Sequence, residues 1–170
     1  MKIKTAKSFI LIALTISSFI FNGCVKDSDF DIENEKQKLL FLHKEQEDAH
    51  LNKNAEQFVN QFANPMLSIN RGKITTLTVD AAQERFQNYF NTVLIKSWKD
   101  IAPPIIDFSE DATMAYVVVD KLVVLSYEDE ENKTIEETTH FAWVSVFKKL
   151  ENGEWKIVCN ISTNEPKENK

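Results

Sequence analysis

The stretch TTHFAWVSVFKKLENGEWKIVCNIS, residues 138–162, decides the fold. Asn152-Gly153 lies between two apolar runs, and Asn-Gly flanked by strand-like sequence is the strongest short-range hairpin signal. The first run places Ala142, Val144 and Val146 on one side and Phe141, Trp143 and Phe147 on the other. A sheet with one face in water alternates apolar with polar, so these strands expect cover on both faces.

Working outward, Thr113 to Tyr127 reads as another long β-branched strand. It carries Tyr116, Val118, Leu122 and Val124 on one face and Val117, Val119, Val123 and Leu125 on the other. The acidic run Glu128 to Glu137 reads as an exposed loop joining it to the hairpin, and Ser109-Glu110-Asp111-Ala112 as a turn before it. Leu94 to Lys99 and Ile105 to Phe108 are further strands, separated by Pro103-Pro104. Earlier still the period becomes helical. Glu33 to Leu51 has a stripe of Leu39, Leu42 and Ala49, and Ala55 to Phe62 repeats Ala55, Phe58, Val59 and Phe62 at i, i+3, i+4 and i+7. Asn64-Pro65 closes that second helix, because the residue before proline avoids helical angles. Met66 to Asn70 is a short strand turned by Arg71-Gly72. Thr78 then caps a helix over Val79 to Thr92, with Ala82, Phe86, Phe90 and Val93 on one stripe. Helices followed by antiparallel strands make an α+β domain. Three helices can cover one sheet face, and a second copy of the chain is the expected cover for the other.

Composition sets the remaining bounds. At 170 residues with 43% apolar content, twelve Phe and three Trp, the chain is long enough for one domain with a sizeable core. Lys2, Lys4 and Lys7 precede an apolar run from Phe9 to Phe21, and Gly23-Cys24 follows, the layout of a cleaved secretory signal. It resembles a bacterial lipoprotein signal, in which the cysteine after the cut is lipidated. The expected organisation is a signal over 1–23, lipidated Cys24 with an acidic tether over 24–34, the domain over 35–165, and a tail over 166–170. The acidic residues after Cys24 resemble export tags of Bacteroidetes surface lipoproteins. Together these imply a cell-envelope protein, on the outer membrane, held by its lipid. Loss of residues 1–23 removes three Lys and no acid, taking the formal charge from -6 to -9. That balance disfavours nucleic acid and anionic membrane surfaces as partners of the folded part. Cys159 alternates with Trp155 and Ile157 and reads as a small buried hydrophobe.

The order helix–helix–short strand–helix–sheet, the Phe62-Ala63-Asn64 end of the second helix and the last-strand run Gly153-Glu154-Trp155-Lys156-Ile157-Val158 resemble the nuclear transport factor 2-like superfamily. That superfamily includes SnoaL-type cyclases and ketosteroid isomerases. The resemblance covers about Glu35 to Thr163. It implies a cone-shaped fold whose helices and curved antiparallel sheet enclose an apolar pocket, with the outer sheet face often forming a homodimer. Isomerase-type members place a general-base Asp on the short strand, where this chain has Asn70, which takes no proton at working pH.

Candidate site residues follow. His140 and Asp120 are the candidate acid–base groups. Asn70, Phe86, Tyr89, Phe90, Trp98, Tyr116, His140 and Trp143 are candidate pocket residues. His43, Glu47 and His50 lie on the first helix, but the histidines are seven residues apart where helical zinc motifs use four. They read as solvated helix surface, with no metal or cofactor implied. The expected function is a lipid-anchored domain that binds a small apolar or amphipathic ligand without catalysis. The alternatives are a SnoaL-like isomerase, cyclase or dehydratase, and a dimeric interaction module with a filled cavity.

Overall fold

The computed structural model describes residues 31–165. Cys24, the signal-like segment and most of the tether lie outside them. Helix α1 (Ile32–Leu51) begins where the Asp31 side chain accepts a hydrogen bond from the Asn34 amide at 3.0 Å. Helix α2 (Ala55–Val59) begins likewise at Asn54, which accepts from the Gln57 amide. Such caps satisfy amides that have no partner within the helix. Strand β1 (Phe62–Asn70) turns through Arg71-Gly72 into β2 (Lys73–Leu77), and Thr78 caps α3 (Val79–Thr92). Strands β3 (Leu94–Asp100), β4 (Ile105–Phe108), β5 (Met114–Glu128), β6 (Thr134–Lys149) and β7 (Trp155–Asn164) follow.

The sheet runs β2-β1-β7-β6-β5-β3, and β4 extends the β3 edge by pairing with Ala115 to Val118 of β5. All its pairs are antiparallel except β1 with β7, which are parallel. The inner face carries Ala115, Val117, Val119, Val123, Phe147, Trp155 and Ile157, all buried. Helical Leu39, Val59 and Ala82 pack against that cluster. The outer face is half exposed: Tyr116, Leu122 and Ile161 are exposed, while Val118, Val144 and Val146 are partly covered.

Three sequence expectations shift, each for a local reason. Helix α2 stops at Val59, because the Gln61 carbonyl accepts the Ile157 amide at 2.8 Å and draws Phe62 into β1. Phe62 still meets Phe58, with rings 5.1 Å apart, so helical and strand readings bury the same side chain. The acidic loop is shorter than its composition suggests, since Thr134 to Glu137 pair with Leu125 to Glu128. Asp129 closes that turn by accepting from the Glu131 and Lys133 amides. Third, Cys159 is only half buried. The register on β6 passes from Phe147↔Ile157 to Val146↔Cys159, which makes Val158 an extra residue. A bulge of this kind reverses the alternation beyond it. Cys159 therefore faces outward beside Leu67 and Val146, and Asn160, Ser162 and Asn164 turn inward.

Candidate ligand cavity

Between the helices and the inner sheet face lies a cavity of about 670 Å³. Its buried end is built from Gln46 and His50 of α1, Phe62 and Met66 of β1, Ser145 of β6 and Ile157 of β7. Phe58, Phe86, Trp98 and Trp143 line its walls. The β1–β2 hairpin contributes the inward pairs Met66↔Leu77, Ser68↔Thr75 and Asn70↔Lys73, apolar at its base and polar at its tip. The exposed tip brings Arg71 to the cavity, and α3 adds exposed Arg85 beside Phe86. The inward turn after the β7 bulge supplies Asn160, Ser162 and Asn164 to the same polar end. Asn70 Nδ2 donates to Ser162 Oγ at 2.6 Å.

Of the candidates named from the sequence, Asn70, Phe86, Tyr89, Trp98 and Trp143 line this cavity. Phe90 is fully buried behind it, packed with Ala55, Val93 and Ile95. Tyr116, Asp120 and His140 do not line it. They sit on the outer face, where Leu122↔His140 and Asp120↔Ala142 are neighbouring pairs. His140 Nε2 bonds Asp120 and Nδ1 bonds Glu165, and the Asp120 contact first, then Glu165, holds the imidazole above its ordinary pKa. The pair therefore meets, but away from the cavity. Strand parity decides this: His140 shares its side with Ala142 and Val144, which is the outer side.

The histidine at the cavity is His50, which the sequence reading left on the surface. Its ring stacks on Trp98 at 3.8 Å and 25° and meets Phe58 and Phe90 edge-on. Nδ1 lies 2.7 Å from the Gln46 carbonyl, which can only accept, so Nδ1 carries the proton. Burial above all, then the Lys121 charge, pushes the His50 pKa down to about 4 against the pull of that carbonyl. At neutral pH it is an uncharged imidazole whose Nε2 is an acceptor. Trp98 adds a buried indole N–H with no acceptor. His43 is buried too: its Nε2 donates to Asp100, which also holds the buried Lys121 ammonium at 2.8 Å. A stripe of Glu35, Leu39, His43, Gln46 and His50, spaced at i, i+4, i+8, i+11 and i+15, would have revealed the buried face of α1. Its polarity concealed it. Among the described residues no group of three or more His, Cys, Asp or Glu is placed to hold a metal ion.

His50 gives a pH signature. The unfolded imidazole takes a proton near pH 6.5 and the folded one near 4, so stability is fully present above 6.5 and falls as pH drops toward 4. The loss across that window is roughly 3 kcal/mol. Urea titrations of His50→Phe at pH 7 and pH 4.5 should show a markedly flatter dependence than wild type. An unchanged pH slope would mean that His50 is not held neutral.

Neither protein-family models nor curated proteins match this sequence. Solved structures do match. A ketosteroid isomerase-like protein from Erwinia carotovora atroseptica aligns with a TM-score of 0.63 at 10% identity, over 78% of this chain and 98% of its own. A candidate scytalone dehydratase from Novosphingobium aromaticivorans gives 0.64 at 13% identity, over 79% and 86%. A protein of the NTF2-like family from Streptomyces avermitilis gives 0.61 at 8% identity, over 79% and 99%. Identities this low speak to backbone architecture, and the described domain has the NTF2-like, ketosteroid isomerase-like fold.

Proposed function

We propose that this domain is a receptor that holds a small apolar or amphipathic molecule without transforming it. The observation carrying the proposal is the cavity itself: about 670 Å³, walled by aromatic rings, with no carboxylate among its lining residues. Ligand pockets of this size and lining are usual for small-molecule sites. In the same proposal Cys24 carries the lipid that holds the chain at the envelope, and the outer sheet face pairs with a second copy. The apolar outer stripe that runs from Tyr116 and Leu122 to Ile161 and Leu67 supports that pairing. Mass spectrometry finding unmodified Cys24 would remove the anchor, and sedimentation as a strict monomer at high concentration would remove the dimer.

The binding itself is tested with an uncharged fluorescent naphthylamine. Thr75 is exposed on β2 and points into the cavity, so Thr75→Trp should plug the mouth while shifting stability by no more than about 0.5 kcal/mol. Saturable reporter binding lost in Thr75→Trp is the expected result. Equal binding by both proteins would place the reporter elsewhere and overturn the reading.

His50 favours a second reading, an isomerase or dehydratase of the same fold. A neutral imidazole with a free acceptor nitrogen at the cavity can accept a hydrogen bond or a proton from a bound molecule, although a pKa of about 4 makes it a weaker base than one poised near neutrality. In that reading His50 replaces His140 and Asp120 as the acid–base group. Product formation from a bound ligand, abolished in His50→Gln with binding retained, would establish it.

A further inference from the structure

Arg71 and Arg85 are the only arginines in the 170-residue sequence, and both line the cavity. Lys73 joins them. The chain as a whole is acidic, with 26 Asp and Glu against 20 Lys and Arg, yet no acid reaches this lining. Among the described residues, none of the three cations is in an ion pair. Arg71 also occupies an awkward backbone position. Its φ of 49°, followed by Gly72 at 73°, belongs to a turn type that favours Asn-Gly. A long cationic side chain there works against local preference. Three cations outside any ion pair thus belong to the exposed lining of a cavity whose walls are aromatic.

We propose that the ligand is an amphipathic carboxylate, an apolar body lodged among Phe58, Phe86 and Trp143 with its carboxylate received by Arg71, Arg85 and Lys73. The inference rests on the binding reading above. Guanidinium groups match a carboxylate by paired N–H donors, and such charge-assisted bonds are about twice as strong as neutral ones. Phosphate sites commonly add backbone amides from a glycine-rich loop or a helix N-terminus. Phe58, in the first turn of α2, lines this cavity, but its N–H is taken by the Asn54 carbonyl at 3.2 Å, and no glycine is in the lining, which favours the carboxylate.

Calorimetric titration of the full chain with decanoate, decanol and decyl phosphate tests this. Decanoate should bind at least about tenfold more tightly than decanol, with the difference shrinking as salt is raised. Arg85→Gln should weaken decanoate about tenfold and leave decanol unchanged. Arg71→Asn should weaken decanoate similarly while its thermal midpoint stays level or rises, since Asn suits the turn better. Thermal melts of both variants separate a binding loss from unfolding. Decanol matching decanoate would overturn the carboxylate and leave an apolar receptor. Decyl phosphate exceeding decanoate, or arginine variants weakening both probes alike, would overturn it too. No binding by any probe would bring down the receptor reading as well.

Discussion

Replacing Asp100 by Asn should destabilise the domain by about 3 kcal/mol or more, because removing one partner of a buried ion pair strands the other. Lys121 has no exposed side-chain surface, and its ammonium lies 2.8 Å from Asp100 Oδ1. The geometry is that of an ion pair rather than an aligned hydrogen bond, so the attraction is charge on charge. His43 Nε2 donates to the same carboxylate at 2.9 Å. Burial alone would raise the Asp100 pKa, but Lys121 and then His43 hold it below the usual carboxylate value. Asn keeps the shape and removes the charge, leaving Lys121 beneath α1 with no counter-ion. Lys121→Met should cost less, since Asp100 is a quarter exposed and retains His43. Urea unfolding decides between them. Equal losses would mean that the ammonium finds water, and the burial argument would fail.

Trp155 carries the second large effect. Trp155→Ala should cost about 4 kcal/mol, in the range for emptying a buried aromatic site. Trp155→Phe should cost about 2 kcal/mol, the scale of a hydrogen bond to a charged group. The ring is 4% exposed, packs on Phe108 at 5.9 Å, and donates its N–H to Glu35 Oε2 at 2.6 Å. Lys149 and Lys38 reach the other oxygen of that carboxylate at 3.0 and 2.7 Å. Burial opposes ionisation of Glu35, yet hydrogen bonds from Lys38, Trp155 and Lys149 outweigh it and bring the pKa to about 2. This contact ties the first turn of α1 to the start of the last strand. A double-mutant cycle with Glu35→Gln should show that most of the Phe variant's loss depends on Glu35. Additive losses would show that the N–H bond contributes little and only packing matters.

Much of the fold was legible because it rests on strong local signals. Asn152-Gly153 made its hairpin, Thr78 capped α3, and the β-branched run after Ala112 became β5 almost to the residue. Phe86, Tyr89 and Trp143, named from the sequence as aromatics for a pocket, line the cavity. What stayed hidden depends on tertiary partners. The Val158 bulge has no composition of its own, and it turned Cys159 outward and three polar residues inward. Lys121 reads as a surface residue until Asp100 is brought beneath α1. His43 and His50 escaped because the buried stripe of α1 is largely polar: His43 pairs with Asp100 and His50 stacks on Trp98, partners that only the fold supplies. The arginines were seen only as turn and helix residues. Their meeting at one cavity needed the hairpin and α3 in place.

Whether the cavity holds a guest can be read from native mass spectrometry of the purified full chain, set beside Thr75→Trp. The structure predicts uptake of one apolar or amphipathic molecule per chain, extractable into organic solvent and missing from the plugged variant. A wild-type chain that takes up none when they are supplied in excess, or a plugged chain carrying the same guests, would contradict it.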